Sequence, residues 1–348
     1  MIHFVKKWLF PLLGVLLLLW FFTTVDMAKF FEEIINVDLR LVFLGIGMYF
    51  ISISFRTLRW QLLLSRVKVV PHNKLYPVVV VGYMANNVLP FRLGEFVRSY
   101  YLYRRTGIGV TTGITAIFVE RIFDALVLLL FIAVVGFFVP IHKNLTSLGE
   151  VYNISLVELI ILFSFPFLLA FAFVMIASFY PQYVLALPKT IVKIYESRIS
   201  IWIYNKSDEI IKGLRVLSSP LNFLRVFGLS IAVWSFEAVL FVFIGMSFEI
   251  DHLYTNMFYF LLTMVLAMSI GNIASSIPFA PGGIGLFEIV TREVVILFSF
   301  VMIDRTVASA YVTVVHIALL VPMIIGGQLF LITDQIGFRK LLDNSKQG

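Results

Sequence analysis

The 348 residues include no cysteine, which excludes disulfides, thiolate metal sites and cysteine nucleophiles and leaves the compartment open. Charge is scarce as well. Only 14% of the residues are charged, against about 25% in an ordinary soluble domain. The five histidines are scattered, with no HExxH or comparable pair, so no metal or other cofactor is expected. No ATP-binding motif is visible, and the alternating ten-residue pattern of a membrane β-barrel is missing too. What the chain has in abundance is apolar length. Hydrophobic residues make up 60% of it, and its mean hydropathy is +0.99. Several continuous Leu-, Val- and Phe-rich runs approach the roughly 20 residues that cross the hydrocarbon as a helix. The expectation is an all-α polytopic membrane protein. Its net charge of +7 then reads as positive-inside bias and not as a nucleic-acid footprint.

Six runs read as spanning helices: 8–25, 41–55, 108–139, 156–179, 221–248 and 306–333. Lys6 and Lys7 precede the first, and no small-residue cleavage site precedes Asp26, so a retained span is expected and not a signal peptide. Residues 26–40 form a mostly acidic connection. Residues 56–75 are basic through Arg56, Arg59, Arg66, Lys68 and Lys74, and a polar connection runs from His142 to Ser155. Pro181 to Pro220 mixes basic and apolar residues, as either a surface amphipathic helix or a solvated connector does. With the N-terminus inside, segments 1–7, 56–75, 91–107, 181–220 and 334–348 face the cytoplasm and hold 20 of the 27 Lys and Arg. The opposite connections hold Lys29, Arg40, Lys143 and Arg305. A multi-pass plasma-membrane protein with both termini cytoplasmic is expected.

Two further stretches are interrupted. In 75–103 a short apolar arm with Asn86 and Asn87 stops at Pro90, and FRLGEFVRSYYLYRR follows as an amphipathic helix. In 254–300 the break is SSIPFAPGGIG. Broken backbone at membrane depth is tolerated only inside protein or beside a wet cavity, so each reads as a re-entrant hairpin. The charge asymmetry requires them to enter from opposite sides. They also match in sequence: Gly82-x-x-Ala85-Asn86-Asn87 against Gly271-x-x-Ala274-Ser275-Ser276, each followed by glycine and glutamate. That is the pattern of an inverted-topology repeat with a site at the repeat interface. One integral-membrane domain, 1–348, is expected, with a first repeat at 40–139, a connecting part at 140–220 and a second repeat at 221–333. Two complete spans joined by a surface Pro-Gly-Gly turn are the alternative for 254–300.

Charged residues inside these segments are the candidates for function, because intramembrane charge is costly and pairs or faces water. Glu120, Arg121 and Asp124 share a helix, with Arg121 in reach of Asp124 three positions on. They form either an ion-pair clamp or a phosphate-receiving arginine flanked by carboxylates. Arg92, Glu95 and Arg98 flank the first break, as surface charges or as guanidinium forks for a lipid phosphate. Gly282, Gly283 and Gly285 either make a tight turn or let backbone N–H groups approach an anion. Glu288 and Arg292 are spaced to pair with each other. Glu237 and His316 are candidates for proton or cation coupling, Glu237 also for pairing with Arg121, and His316 also for plain packing. Asn86, Asn87, Ser275 and Ser276 suit backbone satisfaction as well as ligand contact.

NNVLPFRLGEFVRSYYL, followed by VERIFD and later by SSIPFAPGGIGLFE, resembles the transmembrane region of lysylphosphatidylglycerol synthases, over roughly residues 40–333. The resemblance implies a region that flips an aminoacylated lipid between leaflets, beside a separate soluble domain that makes that lipid from aminoacyl-tRNA and phosphatidylglycerol. The sequence ends about 15 residues after its last span, so a stand-alone form without that domain is expected, and a lysyltransferase activity is not. The expected function is a lipid flippase or transporter. Its partners would be membrane lipids: an anionic or aminoacylated phospholipid, or a polyprenyl-phosphate lipid. The rivals are an integral-membrane transferase on lipid-linked substrates and a non-catalytic partner of a synthetase or glycosyltransferase docked through 181–220.

Overall fold

The structure, a computed structural model, describes residues 2–138, 156–194, 197–277, 280–299 and 301–334. The polar connection at 142–155 and the basic tail fall outside them. The described residues form helices and no strands. In order, they are α1 (Ile2–Thr23), α2 (Met27–Ile35), α3 (Leu39–Leu64), α4 (His72–Val88), α5 (Gly94–Thr106), α6 (Val110–Gly136) and α7 (Leu156–Phe179). There follow α8 (Pro181–Ile194), α9 (Arg198–Leu214), α10 (Pro220–Ser247), α11 (Met257–Ser275), α12 (Leu286–Leu297) and α13 (Arg305–Thr333). By length and composition α3, α10, α11 and α13 can each cross a membrane. The first and fourth expected spans are bent: α1 turns into α2 through 94°, and α7 into α8 through 87°. The acidic connection therefore holds a short helix capped by Asp26. The basic segment is a pair of helices and not one.

The second span is longer than its apolar run. Asp38 caps α3, accepting the Arg40 N–H at 2.8 Å, and the helix continues nine residues past Phe55 to Leu64. Arg56 and Arg59 thus lie inside the bundle, 3% and 0% exposed, not on a basic surface. Arg98 is buried as well. Removing these three leaves the charge asymmetry between the two ends in place.

At the centre α3 and α10 run antiparallel. The Asp38 N–H donates to Ser247 O, Ser52 Oγ to Val233 O, and Arg59 to Ser230 Oγ, so one numbering rises as the other falls. The remaining elements repeat this exchange. Helices α4 and α5 form one hairpin and α11 and α12 the other; α4 packs along α13 and α11 along α6. The first hairpin opens at the end where Tyr101 donates to Asp334. The second opens at the other end, where Phe258 meets Phe138 and Arg305 meets Glu293. Their tips meet between them: an Arg92 guanidinium N–H reaches Ser275 O at 3.5 Å. The Pro-Gly-Gly turn lies against His316, near the middle of α13, which removes the alternative of a surface turn.

The two tips share one backbone solution. Pro90–Arg92 and Pro281–Gly283 are single 3₁₀ turns that each begin with proline. In both, the next two residues are left-handed: φ is 57° and 53° at Phe91 and Arg92, and 62° and 77° at Gly282 and Gly283. Left-handed backbone costs a non-glycine residue about 1–2 kcal/mol. Such strain persists where the surroundings impose it, often at functional positions. It also corrects the expected helix at FRLGEFVRSYYLYRR, which begins only at Gly94. Within each hairpin a glycine lets the arms touch. A Cβ at Gly82 would come within 2.7 Å of Arg98 Cβ, and one at Gly271 would collide with Thr291 Oγ1.

Candidate functional site

The opposed tips, α3, α6, α10 and α13 enclose a cavity of about 290 Å³. On the first half Asn86, Asn87 and Arg92 line it. On the second, Ser275, Ser276, Gly282 and Gly283 do, with His316 behind them. Arg121 and Asp124 come from α6, Arg56 from α3 and Glu237 from α10. Tyr83, Trp234 and Asn272 complete the polar wall.

Behind that wall lies a buried charge network. Arg56 donates to Glu237 at 2.6 Å and to Tyr83 OH at 2.9 Å, with its guanidinium 4.6 Å from the Trp234 ring centre. Arg59 donates to Asp124 at 2.8 Å and lies 3.5 Å from Glu120. Arg98 donates to the other Glu120 oxygen at 2.7 Å and lies 3.9 Å over Trp60. The Trp234 N–H also donates to Asp124 at 3.1 Å. These short, charge-assisted bonds compensate buried ions that would otherwise be very costly.

Two arginines are held differently. Arg121 has Asp124 at 3.5 Å and Glu95 at 3.8 Å, with a 3.3 Å bond to Tyr83 OH. Arg92 has Glu95 at 3.9 Å and the 3.5 Å contact to Ser275 O. Neither makes the close bidentate pair that the guanidinium fork favours. Both face the cavity. Counted as ionised, Arg56, Arg59, Arg92, Arg98 and Arg121 exceed Glu95, Glu120, Asp124 and Glu237 by one charge, which an anion in the cavity would balance.

The expected residues separate accordingly. Arg92, Arg121, Asp124, Glu237, Gly282 and Gly283 line the cavity, as do Asn86, Asn87, Ser275, Ser276 and His316. Ser275 and Ser276 also donate to Asn272 O at 3.0 and 2.9 Å, satisfying the broken end of α11. Glu95 stands at the margin, while Glu120 and Arg98 belong to the network behind. Glu237 does not pair with Arg121; its partner is Arg56, on the helix packed directly against it. Glu288 does not pair with Arg292. It accepts the Gly285 N–H at 2.7 Å and lies 2.7 Å from His316. Arg292 turns the other way, to Glu293 at 2.9 Å and Thr24 at 2.8 Å, outside the cavity. Gly285 is likewise turned from the cavity, against Gly14 of α1. Sequence reasoning missed Arg56 and Arg59 as site residues. Their spacing from the apolar run, with Arg59 three positions after Arg56 on one helical face, is the signal that would have found them.

Fold and site together define an all-helical, multi-pass membrane protein with two opposed broken hairpins closing on an internal polar cavity. The chain belongs to the family described as the lysylphosphatidylglycerol synthase TM region, whose model matches residues 8–327. It is similar to a UPF0104 membrane protein of Pyrococcus horikoshii, 25% identical over 345 residues, covering 94% of this chain and 97% of that protein. It is also similar to a UPF0104 membrane protein of Methanocaldococcus jannaschii, 26% identical over 208 residues, covering 58% of this chain and 75% of that one. No solved structure matches significantly.

Proposed function

We propose that the protein moves a phosphate-bearing lipid between the leaflets of the membrane. The headgroup enters the cavity between the tips, and the acyl chains stay in the surrounding bilayer. The observation that carries this reading is the pair Arg92 and Arg121: two cavity-facing guanidinium groups whose carboxylate neighbours lie no closer than 3.5 Å, in a wall with one excess positive charge. A phosphate offers the planar fork the bidentate acceptor it lacks. A volume of about 290 Å³ suits a headgroup and is too small for two acyl chains. The opposed hairpins supply the moving parts, as in inverted-repeat transporters where one half rocks against the other around a fixed site. The basic end of the bundle, carrying α8 and α9, faces the cytoplasm on this reading.

The test is reconstitution in vesicles of phosphatidylethanolamine and phosphatidylglycerol, with fluorescent phosphatidylglycerol and phosphatidylethanolamine as probes. Wild type should speed exchange between leaflets. Arg121→Ala and Arg92→Ala should each slow it by tenfold or more, taking about 1.5–3 kcal/mol for a bond to a charged group. Lys at either position should rescue only in part. Exchange unchanged in both alanine variants, or no protein-dependent exchange of either probe, would refute the reading.

A further inference from the structure

The second tip is held by a pair that carries a removable proton. Nε2 of His316 lies 3.0 Å from Gly282 O, and Nδ1 lies 2.7 Å from Oε1 of Glu288. A carbonyl oxygen only accepts, so Nε2 bears a hydrogen. A neutral imidazole with that hydrogen presents a lone pair at Nδ1, and a lone pair does not bond a carboxylate oxygen. A proton therefore lies between Nδ1 and Oε1, whether it belongs to an imidazolium or to a carboxylic acid. In both forms the pair holds one proton more than a neutral histidine beside a carboxylate.

That proton closes a clasp. The second Glu288 oxygen accepts the Gly285 N–H at 2.7 Å, so the pair grips the turn at Gly282 and at Gly285 and ties both to α13. The Phe287 ring, 4.4 Å from the imidazole, packs against it. Glu288 and His316 are 6% and 4% exposed, with His316 on the cavity wall and Glu288 behind it. Loss of the proton leaves two acceptors face to face. The turn must then leave α13, or His316 must rotate and release Gly282. Both glycines have positive φ and no side chain to hinder that movement.

The other charged groups around this tip are engaged elsewhere. Across the cavity stand Arg56, Arg121, Asp124 and Glu237, engaged with one another, and Tyr49 and Tyr83 beside them. From the first tip comes Arg92, with Glu95 beyond it. Arg292, one turn past Glu288, faces Phe21 and Thr24. From Leu12 to Thr23, the part beside this tip, α1 has no charged residue, nor does α11. On α13 the other titratable side chain near the pair is Tyr311, which donates to Phe241 O.

We propose that Glu288 and His316 bind one proton per transport cycle and so couple the second tip, and the lipid it moves, to a proton gradient. Uptake from cavity water makes one N–H or O–H bond, and release returns the same proton to water. This rests on the lipid-moving reading above, and the test separates the two. Since the chain has no cysteine, Ile284→Cys gives a unique label at the tip. In vesicles of phosphatidylethanolamine and phosphatidylglycerol, its reaction with a permeant maleimide is compared with the same cysteine in Glu288→Gln. The Gln amide accepts the Gly285 N–H and donates to Nδ1 of a neutral imidazole, so both bonds form without the pair's extra proton, and the ratio cancels the thiol's own pH dependence. The ratio should rise several-fold from acidic to alkaline pH, as the pair loses its proton. With His316→Ala it should be high at every pH. A wild-type ratio that is flat with pH, or one that rises equally with His316→Ala, would overturn the clasp whatever the lipid does. In the second arm, a pH difference across vesicles with fluorescent phosphatidylglycerol should skew the leaflet ratio by up to about tenfold per unit at one proton per lipid. A responsive tip with a gradient-independent leaflet ratio would overturn the coupling. A responsive tip with no lipid movement would overturn the lipid reading and leave the clasp.

Discussion

Replacing Glu237 by Gln tests whether the charge network holds the two halves together. Glu237 is 3% exposed and Arg56 likewise 3%, and their 2.6 Å bond joins α10 to α3, the central contact between halves. Gln keeps the shape and one hydrogen bond but removes the countercharge, leaving Arg56 with Asp124 at 3.8 Å, which Arg59 already engages. Breaking a buried pair by removing one partner costs about 3–5 kcal/mol. The retained neutral bond offsets about 0.5–1.5 kcal/mol of that. A net loss of about 2–4 kcal/mol is expected. Removing both charges with Arg56→Met and Glu237→Leu restores charge balance, and Asp124 keeps Arg59 and Arg121. The double variant should therefore be more stable than either single charge removal, with a coupling energy of about 2 kcal/mol, within the range for contacting residues. Equilibrium unfolding in mixed micelles, read by tryptophan fluorescence, measures all four corners of the cycle. Trp234 over Arg56 supplies a local signal. Glu237→Gln within about 0.5 kcal/mol of wild type, or additive single variants, would refute the claim that this pair is a compensated buried ion pair.

Two further outcomes follow from packing and capping. Gly271→Ala drives its new Cβ into Thr291 and to 3.3 Å from Phe287, an overpacking of about 1–3 kcal/mol; Gly47→Ala in α3, with nothing within 4 Å of its Cβ, should show no such loss in the same unfolding measurement. Asp304 caps α13, accepting N–H bonds from Thr306 and Val307 at 2.9 and 3.3 Å, with Lys29 at 3.2 Å. Burial raises its pKa, while Lys29 and the two N–H groups more than offset this and hold the carboxyl below its usual value. A depressed folded pKa stabilises above the unfolded value, and that contribution fades as pH falls through the folded one. Asp304→Asn should therefore lower stability at neutral pH and cost progressively less as the folded carboxyl protonates, as unfolding curves paired at neutral and at successively lower pH would report.

Much of this protein was legible in one dimension because the bilayer imposes local rules. A helix must satisfy its own backbone in lipid, so the spans appear as long, mainly apolar runs. A break that brings proline and glycine together cannot be hidden from the pattern. Both hairpins, their glycine matches and their opposite entry were available from those rules and the charge asymmetry. The reach of Arg121 to Asp124 was available too, since both stand on one turn of one helix.

The partners were decided by tertiary structure. Arg56 and Glu237 lie 181 residues apart, and nothing in either neighbourhood announces the other. An arginine just past an apolar run reads as surface until antiparallel packing of α3 on α10 sets a carboxylate beside it. The same holds for Glu288, whose sequence neighbour Arg292 was the expected mate. The helix turns that residue toward α1 and gives Glu288 to His316. Charge patterns along the chain follow the membrane, which acts on every segment separately. Compensation of buried charge depends on which helices touch, and that exists only once the two halves have closed on each other.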